Sequence, residues 1–159
     1  MKLWSAAVAP NPRRVEIYLM EKGIEVETEN IDLGAKANYE PEFVVMNPLA
    51  RVPVLELDDG TFLAESKAIC RYFEETHPEP PLLGSNTQER ALIEMWDRRI
   101  ESELMGNITG AFRHLHPYWD GRIEQIPAYG DICKKNAEDR MAWLDGELAD
   151  RDYIAGDRF

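Results

Sequence analysis

The stretch from Asn47 to Ser66, Asn-Pro-Leu-Ala-Arg-Val-Pro-Val-Leu-Glu-Leu-Asp-Asp-Gly-Thr-Phe-Leu-Ala-Glu-Ser, decides how this chain folds. Val52 to Leu57 is a short apolar run with Pro53 near its start. Asp58-Asp59-Gly60 is a hairpin turn signal, and Thr61 to Ala64 is the returning strand. Glu65-Ser66 then opens a helix carrying Ile69, Tyr72 and Phe73 on one face. The antiparallel pair therefore begins at an X-Pro bond, the one bond type with an appreciable cis population, and ends at a helix N-terminus. A cis Val52-Pro53 bond turns the N–H and C=O of Val52 out of the ladder, where a peptide-like ligand can pair with them. The helix start at Ser66 suits a carboxylate.

Upstream, Lys2 to Ala7 reads as a strand and Val8 to Pro12 as a loop. Asn11-Pro12 reads as N-cap and first helical residue, and the helix that follows carries Val15, Tyr18 and Leu19 and stops at Lys22-Gly23. Ile24 to Glu29 alternates with period two, as a half-buried strand does. Asp32 to Glu40 is loop-like, and Pro41 to Val45 is a short helix. The order β-α-β-α-β-β-α, with a parallel first pair and an antiparallel last pair, is a thioredoxin-like α/β arrangement.

His77 to Pro81 places three prolines within four residues and stops the helix. The expected organisation is residues 1–78 as an α/β domain, 79–85 as a Pro-rich linker and 86–159 as an all-α region. Asn86 with Glu89 forms a capping-box-like start. A stripe of Leu92, Met95, Trp96, Ile100 and Leu104 follows, and the helix continues through Phe112 and Leu115 to Pro117. A last helix, to about Leu148, aligns Cys133, Ala137, Met141, Leu144 and Leu148.

The chain has 159 residues, of which 44% are hydrophobic, enough for a real core. The net charge of −12 argues against nucleic acid as a general partner, because phosphate is repelled. No apolar run is long enough to span a bilayer, and the first residues lack the apolar core of a signal peptide. Cys70 and Cys133 read as free thiols in a reducing compartment, so the cytoplasm is the expected location. His114 and His116 point to different helix faces and read as a helix end rather than metal ligands; no metal is expected.

The hairpin stretch resembles the signature of the cytosolic glutathione S-transferase superfamily, N-P-x-x-x-V-P-x-L-x-L-x-D-G-x-x-L-x-E-S-x-A-I. It does so at Asn47, Pro48, Val52, Pro53, Leu55, Leu57, Asp59, Gly60, Leu63, Glu65, Ser66, Ala68 and Ile69. The resemblance implies a thioredoxin-like glutathione-binding domain followed by an all-α domain. It also implies glutathione as co-substrate, a small hydrophobic electrophile as second substrate, a role in detoxification and a homodimer. Carried over by position, Val52, preceding Pro53, pairs through its backbone with the cysteinyl part of glutathione. Glu65 takes the ammonium and Ser66 the carboxylate of the γ-glutamyl end, and Arg51 reaches the glycyl carboxylate. Two residues are candidates for activating the thiol: Asn11, an amide donor at the helix start, and Ser5, near the end of the first strand. The loop between them carries no hydroxyl and no cysteine, which argues against a mixed-disulfide mechanism. Arg14 is expected to face solvent or a partner subunit, and Arg13 to raise the potential around an anionic tripeptide. Ala7, Met105, Phe112 and Tyr118 are the expected walls of the electrophile pocket.

In that superfamily a Y-x-A-G-D-x-F segment leads into further helices of the second domain, and here Tyr153 to Phe159 is the last segment. The helical domain is therefore expected to be incomplete. Either the chain is a fragment or something else covers the exposed apolar face. Glutathione transfer to electrophiles is the leading expectation. Glutathione-dependent disulfide reduction without a protein cysteine, and a non-catalytic glutathione-binding module, are the alternatives.

Overall fold

A computed structural model describes residues 1–158; Phe159, the last residue of the Tyr153–Phe159 motif, lies outside the described residues. The chain divides into two compact units, residues 1–82 and 83–159.

The first unit is a four-stranded sheet of β1 (Lys2–Ser5), β2 (Glu27–Asn30), β3 (Val54–Glu56) and β4 (Phe62–Ala64), with α1 (Pro10–Lys22), α2 (Pro41–Met46) and α3 (Ser66–Thr76). The sheet order is β2-β1-β3-β4. β1 runs parallel to β2, with Leu3 opposite Thr28, and antiparallel to β3, with Leu3 opposite Leu55. The β3–β4 hairpin pairs Leu55 with Leu63. This is the thioredoxin-like α/β arrangement. Its core is Leu3, Val15, Val54, Leu55, Ile69 and Phe73, all fully buried. Leu3 and Leu55, paired across the sheet, share one face, while the adjacent Val54 is buried on the other, as the continuous apolar run implies, and the α1 and α3 residues follow the helical pattern.

Two local expectations are corrected. The second strand does not span Ile24 to Glu29 as a half-buried element. It begins at Glu27, and all four of its residues are exposed. The alternation belongs to the approach, where Ile24 and Val26 are half-buried; the ladder itself lies on the sheet edge, where polar side chains remain solvated. The first helix starts at Pro10 with Ala9 as its N-cap, so Asn11 is not the cap. Pro10 itself takes the first helical position, where its missing N–H costs nothing. The other end is as expected: Gly23, at φ 64°, returns its N–H to the carbonyls of the last turn.

The second unit contains α4 (Thr87–Arg99), a π-helical segment (Ile100–Met105), α5 (Gly106–Leu115), a 3₁₀ turn (Pro117–Trp119) and α6 (Pro127–Glu147). The Asn86 side chain caps α4 by accepting from the Glu89 N–H at 3.0 Å. The Glu89 carboxylate reaches back to the Ser85 N–H and hydroxyl. α5 and α6 approach closely through small residues: a Cβ on Gly110 would stand 2.6 Å from Cys133 Sγ. Trp96, Leu104, Cys133 and Ala137 are buried, whereas Leu92, Met141 and Leu148 of the expected stripes are exposed. In α6 the buried positions of the stripe, Cys133 and Ala137, lie in the N-terminal half of the helix, whereas Met141 and Leu148 beyond them are exposed. No described helix is long and apolar enough to cross a membrane.

Candidate functional site

The Val52-Pro53 bond is cis. The β1–β3 register ends at Trp4 opposite Val54, so Val52 lies beyond the ladder. The approach to it is braced by amides. Asn47, 4% exposed, donates from Nδ2 to the Arg51 carbonyl at 2.8 Å and accepts the Leu49 N–H at 3.1 Å. Asn38, also buried, donates to the Ala50 carbonyl at 2.7 Å. Ala50 is held at φ 52°. The Asn-Pro start of the motif is thus more than a turn signal. Asn47 fixes the carbonyl of residue 51 and Asn38 that of residue 50, so that exposed Arg51 and half-buried Val52 are presented in a set orientation.

At the other end of the hairpin, β4 stops at Ala64 and Glu65 adopts φ 69°, ψ 112° before α3 begins. That unusual backbone turns the chain sharply into the helix. It leaves the Glu65 side chain exposed and Ser66 buried at the first helical position. The first-turn N–H groups of α3 have no intrahelical acceptor, which makes this end suited to an anion.

Arg14 completes this corner. Its Nη1 donates to Ser66 Oγ at 2.7 Å and to Asn11 Oδ1 at 3.3 Å. The expectation that Arg14 faces solvent or a partner is therefore corrected. The residue lies one turn before Tyr18 and two before Lys22, on the face that meets α3, and that i, i+4, i+8 spacing was the available signal. Arg13 is exposed. Asn38 was missed as well, and its polar surroundings gave no periodic pattern to mark it.

The two candidates for thiol activation differ sharply. Asn11 is exposed at the start of α1, and because its Oδ1 accepts from Arg14, its Nδ2 is left as a donor. Ser5 is 1% exposed and donates its hydroxyl to Glu16 Oε1 at 2.5 Å. Donation to an external sulfur would take the hydroxyl from that carboxylate, so of the two candidates Asn11 is the exposed one with a donor to offer. Ser5 is an inward strand residue whose polarity is satisfied by α1.

The expected electrophile walls fall in both units. Ala7 is exposed in the first. In the second, Phe112 and Tyr118 stack at 6.1 Å, with an interplanar angle of 18°, and both meet Trp119 edge-on. Phe112 is 43% exposed, which excludes it from the core of this unit. Met105 is half-buried at the end of the π-helical segment. His114 and His116 each accept a backbone N–H at Nδ1, from Ile126 and Tyr118 respectively. They pin the connection between α5 and α6.

Residues 1–75 match the family model described as glutathione S-transferase, N-terminal domain. Glutathione S-transferase 2 of Saccharomyces cerevisiae is 35% identical over the whole of this chain and 70% of its own length. The crystal structure of Gtt2 from Saccharomyces cerevisiae superposes with a TM-score of 0.92 at 34% identity, covering all of this chain and 78% of that one. A glutathione S-transferase domain-containing protein of Marinobacter aquaeolei gives a TM-score of 0.89 at 39% identity, covering all of this chain and 80% of that one.

Proposed function

The chain belongs to the cytosolic glutathione S-transferase superfamily, and from that premise we propose that it binds reduced glutathione along the Arg51–Pro53 and Glu65–Ser66 corners and transfers its sulfur to small hydrophobic electrophiles. One observation carries this reading: the Arg14–Ser66 hydrogen bond at 2.7 Å, at the N-terminus of α3. A guanidinium, a hydroxyl and a helix N-terminus converge where the family motif calls for the γ-glutamyl carboxylate. Glu65 supplies the complementary charge for the ammonium, and Arg51 for the glycyl carboxylate. In a chain of net charge −12, Arg14 on Ser66 at the start of α3 is a local positive charge that suits an anionic tripeptide.

The Val52 backbone pairs with the cysteinyl unit and brings its sulfur toward the start of α1. A free thiol of pKa about 8.5 is mostly protonated at neutral pH. The Asn11 amide and the α1 N-terminus stabilise the thiolate. The thiolate attacks an electrophilic carbon, the C–S bond forms, and the leaving group departs with the bonding pair. Such conjugation is the chemistry of detoxification, in the cytoplasm and from a homodimer. A second reading, glutathione-dependent disulfide reduction, is favoured by the lack of any hydroxyl or thiol in residues 6–12.

The test is a thermal melt with and without millimolar reduced glutathione, followed by turnover assays. A ligand at a hundredfold excess over its Kd raises stability by about 2.7 kcal/mol. A raised midpoint and turnover of a halogenated aromatic support the transferase. Turnover of a disulfide alone supports the second reading. A midpoint unmoved by glutathione refutes both. Light scattering tests the dimer, and a monomeric mass refutes it.

A further inference from the structure

α1 and α3 lie side by side and run in the same direction, and they are joined by directional bonds at two levels. At the level of the proposed glutathione site, Arg14 donates to Ser66. Two turns further on, the buried Lys22 ammonium stands 2.7 Å from Glu74 Oε2. Lys22 and Glu74 are separated by the same interval in the chain as Arg14 and Ser66. Eight helical residues span about 12 Å in each helix, so the two bonded levels match in spacing. The Tyr18 hydroxyl, between the levels, donates to the same Glu74 carboxylate. Burial, followed by this bond to the carboxylate, holds the Tyr18 hydroxyl in its protonated form, with its pKa pushed well up. The other two Lys22 protons go to the carbonyls of His77 and Pro80, each at 2.7 Å. All three donors of the ammonium are therefore used, and it is held from the last turn of α3 and the segment beyond it.

We propose that the buried Lys22–Glu74 pair is a positioning device that fixes the axial register of α1 against α3 and so holds Arg14 on Ser66. The ion pair adds directional bonds to the apolar packing between the helices. Val15, Leu19, Ile69 and Phe73 are apolar, and apolar contact is non-directional, so it sets separation more tightly than sliding. A slip of one residue moves a helix by about 1.5 Å, enough to break a 2.7 Å hydrogen bond. Buried ion pairs contribute register more dependably than net stability. Lys22 touches no ligand in this scheme and acts through Arg14.

This inference rests on the proposed glutathione site for its functional consequence, and the test separates the two. Lys22→Met and Arg14→Met are made singly and together. Glutathione affinity is measured by calorimetry and unfolding by thermal melts without ligand. If Lys22 acts through Arg14, Lys22→Met weakens glutathione about fivefold or more, and the double variant binds no more weakly than Arg14→Met. Without ligand, the melting loss caused by Arg14→Met shrinks toward zero in the Lys22→Met background. Additive losses in the melts overturn the register role, as does unchanged glutathione affinity in Lys22→Met when the wild type binds. If the wild type binds no glutathione, the site reading fails and the ligand-free cycle alone decides the register. If Lys22→Met does not fold, Glu74→Gln, which keeps a carbonyl for Tyr18, takes its place in both cycles under the same criteria.

Discussion

Arg14 donates to the Ser66 hydroxyl at 2.7 Å, across an interval of 52 residues in the chain. The bond joins the helix that carries Asn11 to the helix whose N-terminus carries the proposed carboxylate site. Removing the guanidinium takes away a charge-assisted donor, worth about 1.5–3 kcal/mol when the acceptor is ionised. Arg14→Met is expected to weaken glutathione roughly ten- to a hundredfold, as read by calorimetry. An unchanged Kd would remove Arg14 from the site.

Asn11 separates catalysis from folding. It is exposed and is not the N-cap of α1, so Asn11→Ala should leave the melting midpoint nearly unchanged, within about 0.5 kcal/mol. If its amide stabilises the thiolate, losing one hydrogen bond to an anion lowers the conjugation rate at neutral pH by roughly tenfold or more. The loss should shrink as the pH approaches the ordinary thiol pKa of about 8.5. A stability loss with full activity would make Asn11 a structural residue only.

The legible part of this chain is the part with a period or a punctuation mark. Val54 and Leu55 lie in the apolar run that reads as a strand, Val15, Leu19, Ile69 and Phe73 follow helical spacing, and Asp59-Gly60 marks the hairpin. All of these fall where the sequence implies. Residues whose role is decided by a long-range polar partner were less legible. Arg14 at Ser66, Ser5 at Glu16 and Asn38 at Ala50 each depend on a side chain or carbonyl more than ten positions away. A polar side chain at a helix or strand position has the same local signature whether it meets water or a buried acceptor. The start of α1 was misplaced because Asn11-Pro12 and Ala9-Pro10 offer two overlapping starts, and the structure uses the earlier one.

Gly110 is tested by filling it. A Cβ there would stand 2.6 Å from Cys133 Sγ, closer than real contacts allow. Gly110→Ala should destabilise the protein by about 1–3 kcal/mol through overpacking. Combining it with Cys133→Ala removes the clashing sulfur and should recover most of the loss, because the two sites share one contact. A melting curve of Gly110→Ala matching the wild type would show that α5 and α6 separate there without cost.

The start of α4 gives a pH dependence. Hydrogen bonds from the Ser85 N–H and hydroxyl, and then the Arg158 charge, hold the Glu89 carboxyl below the ordinary glutamate range. A carboxylate with a depressed folded-state pKa contributes stability above its unfolded value, about 4.3, and that contribution is lost as pH falls through the folded value. Glu89→Gln should therefore melt lower than the wild type at neutral pH and converge with it in acid. Parallel melting curves over the whole range would show that the ionised form carries no advantage.

Glu65 joins strain to function. Its φ of 69° is a conformation that a side chain disfavours and glycine accepts. Non-glycine residues held in such regions cost about 1–3 kcal/mol and persist where surrounding structure or function requires them. Glycine would relieve the strain, though its greater freedom in the unfolded chain returns part of the gain. Alanine keeps the Cβ and the strain while removing the carboxylate. Glu65→Gly should therefore melt at least as high as Glu65→Ala, and both should lose glutathione affinity to a similar degree, because both lack the partner for the γ-glutamyl ammonium. If Glu65→Gly is the less stable of the two, the backbone at this position is not strained. If both variants bind glutathione as the wild type does, Glu65 only shapes the turn into α3 and the ammonium is held elsewhere.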